Sequence, residues 1–199
     1  SHETSAHCLG CHTTALEWTE DRLDPDRTVF GIQCERCHGP GSAHVDAILA
    51  GTKALKIYNP GGLRGDEQVR FCGQCHRVPA DLEPHNVLKV DPSVARHAGA
   101  GLMLSACFRR SPPASTIACL DCHDPHRNID RARDDFNRSC LRCHSKPEGS
   151  HKTAGISTSS DCVVCHMKVE TEGFFGLHFT SHWIRRPDRT QRLEGGRHD

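Results

Sequence analysis

The residues best suited to chemistry are cysteines and histidines that recur in one spacing. The stretch 34–44 reads CERCHGPGSAH, with two cysteines separated by two residues and a histidine directly after the second. In this spacing Cys34 and Cys37 reach the two vinyl groups of one porphyrin as thioethers, and His38 meets its iron from one side. The pattern is therefore the attachment signature of a c-type haem.

The same CxxCH pattern occurs six times and uses twelve of the thirteen cysteines. Zinc ribbons, thioredoxin-like pairs and disulfide frameworks also use paired cysteines, but none requires a histidine after every pair. Chance would place histidine after all six pairs with a probability on the order of 10⁻⁷. The sequence thus predicts six covalently bound haem c groups. The thioether cysteines are Cys8, Cys11, Cys34, Cys37, Cys72, Cys75, Cys119, Cys122, Cys140, Cys143, Cys162 and Cys165, and the proximal iron ligands are His12, His38, His76, His123, His144 and His166.

Distal iron ligands are expected among the other ten histidines, because Met103 and Met167 are the only methionines. This supply is sufficient for bis-histidine coordination at every iron, which favours low reduction potentials and leaves no open site. Two candidates closely follow a proximal histidine and are better placed for a neighbouring haem than for their own. If residues 178–184 are helical, two more lie at i and i+4 on one face. The distal candidates are His44, His97, His126, His151, His178 and His182.

The composition leaves little material for a conventional core. Hydrophobic residues make up 36% of the 199 residues and aromatic residues 5%, with a mean hydropathy of −0.57. Porphyrins at about one per 33 residues would supply the apolar interior instead. We expect one haem-cored domain over residues 1–199, mainly α with much irregular loop and little or no β-sheet. Helices are predicted at 42–50, with Ser42 as N-cap, and around 94–104; residues 185–199 form a polar tail or a subunit-contacting arm.

Charge and hydropathy argue against nucleic-acid binding and against a membrane-spanning helix. The 25 basic and 25 acidic residues give no electrostatic footprint for nucleic acid, and no apolar run is long enough for a transmembrane helix. Haem is attached to CxxCH outside the cytoplasm, so we expect an exported protein, periplasmic or extracellular, with Ser1 as the mature N-terminus. Cys107, the thirteenth cysteine, is either a buried small residue or one half of an intermolecular disulfide.

The boxes CERCHGPGSAH, CLDCHDPH, CVVCHM and FTSHW, spread over residues 33–184, resemble the multihaem cytochrome family that includes the tetrahaem electron carriers of ammonia oxidisers. The resemblance implies that His44, His126 and His182 are distal ligands. Haem density alone gives a looser resemblance to filament-forming extracellular multihaem cytochromes.

Together these features favour an electron carrier with closely spaced bis-histidine haems, acting between redox donor and acceptor proteins or extracellular acceptors. One form is a subunit of an extracellular conducting filament, which makes the chain a homo-oligomer or homopolymer. The other form is a soluble periplasmic shuttle. An oxidoreductase of small nitrogen compounds is the less favoured alternative, because it needs an iron with an open face and histidines are plentiful.

Overall fold

The computed structural model describes residues 8–78, 95–112, 116–127, 133–145, 161–172 and 176–187. Short helices joined by loops predominate there, and the strands form two-stranded pairs. The prediction of a mainly α chain with much loop and little β-sheet is confirmed. Within these ranges no helix has the length and apolarity to cross a membrane. The chain divides into two compact units, an N-terminal unit of residues 1–63 and a C-terminal unit of residues 64–199; the single domain over 1–199 stays a prediction.

The elements follow one another in a simple order. Residues 8–12 are helical, and the further helices are Cys34–His38, Ser42–Leu49, Gly65–His76, Ala98–Leu104, Ala106–Arg110, Arg133–Leu141 and Cys162–His166. Single 3-10 turns lie at Pro60–Gly62 and Cys119–Asp121. The antiparallel strand pairs are Thr13–Ala15 with Val29–Phe30, Trp18–Thr19 with Arg22–Leu23, and Val169–Glu172 with Leu177–Thr180.

In the N-terminal unit, the predicted helix at 42–50 is present as Ser42–Leu49. Its N-cap position is Gly41 and not Ser42, because the turn after the second CxxCH ends one residue earlier than expected. Gly51 follows the helix with a φ of 65°, a conformation that glycine adopts without a steric penalty. Its N–H bonds to the Ile48 carbonyl at 3.0 Å and so closes the last turn.

A small buried core organises the C-terminal unit. Val69, Val78, Leu102 and Ala118 form its centre, and Met103 packs against it. The core therefore joins the helix Gly65–His76, the helix Ala98–Leu104 and the approach to the fourth CxxCH. Since each of these elements is short, burying their apolar faces together is what stabilises them.

Glycine permits a close approach between two backbone segments in this unit. A Cβ on Gly99 would lie 2.4 Å from the Arg77 carbonyl oxygen, and the Ala100 N–H donates to the same carbonyl at 2.9 Å. The helix Ala98–Leu104 thus lies directly on the chain that leaves the third CxxCH. No side chain larger than hydrogen fits at position 99 without displacing backbone.

The helix that would place His178 and His182 on one face does not form. Residues 177–180 form a strand that pairs with Val169–Glu172, and the pairing sets Thr171 opposite His178. Both segments are rich in β-branched and aromatic residues, and the pairing with another segment decides the conformation that the local spacing left ambiguous. The chain then continues beside the sixth CxxCH, with Ser181 N–H bonded to Lys168 O at 2.8 Å and Arg185 N–H to His166 O at 3.2 Å.

Candidate haem-binding centres

All six CxxCH motifs lie on helical turns or on a 3-10 turn. We number them motif one (8–12), two (34–38), three (72–76), four (119–123), five (140–144) and six (162–166). In motifs four and five the histidine N–H bonds to the carbonyl of the first cysteine at 2.9 Å, which closes one helical turn over the motif. Cysteines at i and i+3 then share a face, as attachment to one porphyrin requires. None of the thirteen cysteines, all within the described ranges, is in a disulfide.

Two proximal histidines have their ring orientation set by a backbone carbonyl. The Nδ1 atom of His38 lies 2.8 Å from Tyr58 O, and that of His166 lies 2.8 Å from Arg185 O. A carbonyl only accepts, so the ring proton is on Nδ1 and Nε2 carries the lone pair that a metal binds. A hydrogen bond from Nδ1 to a carbonyl is typical of metal-ligating histidines and raises the basicity of Nε2.

Side-chain contacts hold the carbonyl that His166 uses. Arg185 forms an ion pair with Glu170, with Nη2 and Oε1 2.7 Å apart, and both side chains are largely buried. The same guanidinium lies over the Trp183 ring at 4.7 Å, a cation–π arrangement. Arg185 is therefore fixed from two sides, and its backbone carbonyl is presented to motif six.

Two distal candidates show the same Nδ1 arrangement. His44 Nδ1 lies 2.5 Å from Leu55 O, and His182 Nδ1 lies 3.0 Å from Thr180 O. In both rings the proton is on Nδ1, which leaves the lone pair on Nε2. The segment 55–58 orients two histidine rings, because the Leu55 carbonyl contacts His44 and the Tyr58 carbonyl contacts His38.

The structure brings His182 next to the proximal histidine of motif four. The ring centroids of His123 and His182 are 6.0 Å apart with an interplanar angle of 33°. Two metal–imidazole bonds of about 2 Å each plus the two ring radii sum to roughly 6 Å, so this spacing suits a metal between the rings. Burial lowers the pKa of His182, and the nearby His123 and His76 lower it further. His182 is therefore held neutral, the form in which imidazole binds a metal.

The position of His182 is set by a buried serine and a glycine. Ser105 is fully buried; its Oγ accepts the Ile184 N–H at 2.8 Å and lies 3.0 Å from His182 O and 3.1 Å from Gly101 O, to one of which it donates. A Cβ on Gly101 would lie 2.9 Å from Trp183 N. The helix Ala98–Leu104 and the serine after it thus hold the FTSHW segment.

The other distal candidates have different surroundings. His97 occupies the N-cap position of the helix Ala98–Leu104, next to the chain that follows motif three. His126 is 77% exposed, with Nδ1 3.7 Å from an Asp124 carboxylate oxygen. His178 is exposed, and its Nδ1 lies 3.0 Å from the Thr171 hydroxyl. His151 lies outside the described residues. Ligand roles for all six distal candidates stay predictions.

An arginine links one motif to the preceding motif in both units. Arg36 of motif two donates to Gly10 O of motif one at 3.0 Å, and Arg142 of motif five donates to Asp121 O of motif four. Each arginine directly precedes the second cysteine of its motif, and each acceptor holds that same place in the earlier motif. We call this contact the arginine bridge. The two CxRCH sequences were a signal for it that the motif analysis missed.

First cysteines of successive motifs lie against one another in the C-terminal unit. A hydrogen bond with the Cys119 thiol lowers the pKa of Cys72 to about 7, and the same contact, with burial, raises the pKa of Cys119. Burial raises the pKa of Cys140 to about 11, with a further contribution from the neighbouring Cys162. Motif three therefore touches motif four, and motif five touches motif six.

Cys107 lies near motif five. It is part of the helix Ala106–Arg110 and half-buried, and burial raises the pKa of its thiol, with a smaller contribution from Cys143. Its role stays a prediction.

Apolar side chains around the motifs of the N-terminal unit fit a covering porphyrin. Phe30 and Ile32, which directly precede motif two, are 50% and 55% exposed. Val45, Ile48 and Leu49 on the following helix are also more than half exposed. An exposed apolar group of this size normally marks a binding surface. Together with paired thiols and oriented imidazoles, these residues fit haem c.

Comparison with known proteins agrees with this chemistry. A family model described as "Cytochrome c554 and c-prime" matches residues 1–39, which contain motifs one and two. Multiheme cytochrome MtrA of Shewanella baltica is 22% identical over 176 residues, covering 71% of this chain and 53% of MtrA. Dissimilatory sulfite reductase MccA of Wolinella succinogenes is 21% identical over 223 residues, covering 88% of this chain and 29% of MccA.

The chain thus spans about half the length of the first relative and less than a third of the second. No solved structure matches it. The family match overlaps the resemblance described on residues 33–184 only at motif two. The six CxxCH motifs, the carbonyl-oriented histidines and these similarities support assignment of the chain to the multihaem c-type cytochromes.

Proposed function

We propose that the chain is an electron carrier that binds six haem c groups, one at each CxxCH motif, with two histidines on each iron. The observation that carries this proposal is the contact between successive motifs from three to six. Gln68 bonds to motif four at 2.8 Å, Ser139 bonds from the helix of motif five to motif four at 2.9 Å, and Asn137 bonds to motif six at 2.9 Å. Because two thioethers fix each porphyrin to its motif, motifs in contact keep their porphyrins close.

When bound, haem supplies the one-electron chemistry, and the protein sets its ligands, spacing and potential. Backbone carbonyls keep the protons of His38, His166 and His182 on Nδ1. The hydrogen bond increases electron donation from Nε2, which favours the ferric state. His123 and His182 are the histidine pair that we assign to the haem of motif four, with Phe136 packed edge-on against His123 at 5.6 Å.

Export to the periplasm or the cell exterior follows from the attachment chemistry, and redox donors and acceptors there are the proposed partners. Within this role, the chain is either a filament subunit that passes electrons to further copies or a discrete shuttle. Electron microscopy of purified protein over a range of concentrations separates the two. Filaments support the first form, and discrete particles at every concentration reject it.

A catalytic role is the second candidate, and the similarity to the sulfite reductase MccA is the observation that favours it. Reduction of sulfite or of a small nitrogen compound requires an iron without a sixth protein ligand. A carrier with bis-histidine coordination has no such iron. The two candidates therefore differ in a spectroscopic property of the resting protein.

The test uses the holoprotein, purified from a host that attaches haem c. Intact mass should show six haems, and electron paramagnetic resonance of the ferric form should show only low-spin signals that are unchanged by sulfite, nitrite or hydroxylamine. Fewer than six haems would reject the count. A high-spin signal that shifts on adding one of these compounds would reject the carrier in favour of the enzyme.

A further inference from the structure

Two buried amide side chains each reach from one haem motif to the next. Gln68, on the helix that carries motif three, is 4% exposed, and its Oε1 accepts the Leu120 N–H of motif four at 2.8 Å. The partners are 52 residues apart in sequence. The hydrogen bond is part-buried, and losing it would leave the buried Gln68 amide without this partner, which costs free energy.

Asn137 repeats this contact between motifs five and six. It is 6% exposed on the helix that carries Cys140, and its Oδ1 accepts the Cys162 N–H at 2.9 Å. The helix Cys162–His166 has its own N-cap, because Asp161 accepts from Val163 and Val164. The Asp161 side chain does not accept the Cys162 N–H in this cap. The acceptor of that N–H is Asn137, on the helix of motif five.

The two amides hold equivalent places. Gln68 lies four residues before Cys72 and Asn137 three residues before Cys140, so each shares a helix face with the first cysteine of its motif. Each accepts from an N–H at the first or second position of the following motif. The hydrogen bonds therefore bring first cysteine to first cysteine, and these thiols are in contact in both pairs.

We propose that Gln68 and Asn137 are positioning residues that clamp the haems of motifs three and four, and of motifs five and six, into two edge-adjacent pairs. Each first cysteine becomes a thioether on one porphyrin edge, so adjacent sulfurs place two such edges side by side. This inference rests on the proposed attachment of haem at these motifs. It goes beyond that proposal by naming which haems are paired and which side chains keep them so.

The experiment compares two kinds of substitution at each site in the holoprotein. Gln68→Met and Asn137→Leu keep the side-chain size but remove the acceptor, whereas Gln68→Glu and Asn137→Asp keep an acceptor oxygen. Gln33→Met is the matched control, because Gln33 is exposed and its side chain makes no cap bond in the N-terminal unit. The readouts are haem number by intact mass and the exciton couplet of adjacent haems in Soret-region circular dichroism.

We expect all variants to retain six haems. Gln68→Met and Asn137→Leu should each lose about half of the couplet and the double variant most of it, since distant sites act additively. The acidic variants and Gln33→Met should retain it. Six haems with an unchanged couplet in both apolar variants would overturn the clamp while leaving the proposed function intact. Fewer than six haems in the wild type would instead reject the proposed function.

A second measurement tests the clamp if the apolar variants do not accumulate. In an experimental structure of the wild-type holoprotein, the thioether sulfurs of Cys72 and Cys119 should lie in contact, and so should those of Cys140 and Cys162. Sulfurs separated by the width of a porphyrin in either pair would overturn the proposal.

Discussion

The two units share the arginine bridge but differ in what else holds their haem motifs together. In the N-terminal unit, an arginine bridge and the strand pair Thr13–Ala15 with Val29–Phe30 join two motifs, and large apolar side chains such as Leu49, 81% exposed, stay on the surface. In the C-terminal unit, the helix of motif three and the approach to motif four share a small core in which Val69 is fully buried. The N-terminal unit thus leaves its large apolar side chains without protein cover, whereas the C-terminal unit buries apolar side chains against one another.

The largest effect should come from Gly99→Ala in the C-terminal unit. The new Cβ would meet the Arg77 carbonyl at 2.4 Å, and backbone cannot move aside as a flexible side chain can. We expect a loss of about 3 kcal/mol in the free energy of unfolding, measured by guanidinium denaturation. Gly62→Ala in the N-terminal unit is the control, because nothing lies within 4 Å of its Cβ position. Equal stability of the two variants would contradict the contrast between the units.

His182→Met tests whether the C-terminal unit supplies the sixth ligand of motif four. A thioether ligand favours the ferrous state, so one reduction potential should rise by on the order of 0.1 V while the others stay in place. Spectroelectrochemical titration measures this. The same substitution at His198, which is not a distal candidate, should leave the potentials unchanged. Unaltered potentials in His182→Met would remove it from the ligand set.

Ser105→Ala should weaken the support of His182 without touching any motif. The substitution removes the acceptor of the buried Ile184 N–H, and we expect a loss of about 1–2 kcal/mol in unfolding free energy. Thr52→Val is the comparison in the N-terminal unit; its hydroxyl bonds to Ala47 O at 3.1 Å from an exposed position, and its loss should be smaller. Thermal denaturation of both holoproteins measures the two losses of stability. A larger loss in Thr52→Val than in Ser105→Ala would contradict the role of Ser105 in supporting His182.

The arginine bridge offers a direct comparison of the units. Arg36→Ala should destabilise by about 1 kcal/mol, because it removes the link to Gly10 O. Arg142→Ala should cost less, about 0.5 kcal/mol, since Ser139 also bonds to Asp121 O and Arg142 is 58% exposed. The denaturation midpoints of the two variants show which substitution is more destabilising. The reverse order would show that the shared acceptor is unimportant.

The smallest effect is expected for the surface pair Asp66–Arg70. Both side chains are more than half exposed and their atoms are 3.4 Å apart, so Asp66→Asn should change stability by less than about 0.5 kcal/mol. Any effect should vanish at high salt. A loss above 1 kcal/mol that persists at high salt would mean that Asp66 has another role in starting the helix of motif three.

Sequence reasoning succeeded where the signal was local. The helix Ser42–Leu49 follows from its apolar spacing and the glycine after it, and residues 98–104 are helical as predicted. At 178–184 the histidine spacing left a helix open, and the pairing with Val169–Glu172 makes residues 177–180 a strand instead. The resemblance to known cytochromes identified His182 as a distal candidate. Only the structure shows that His182 lies beside His123.

The sequence by itself determined the covalent chemistry, because two thioethers and a proximal ligand lie within five consecutive residues of one helical turn. Only the tertiary structure decided which motifs meet. Gln68 reaches Leu120 across 52 residues and Asn137 reaches Cys162 across 25, and both contacts depend on the packing of several short helices. The spacing of residues along the chain carries no information about such contacts, since they form only when distant segments bury their surfaces together.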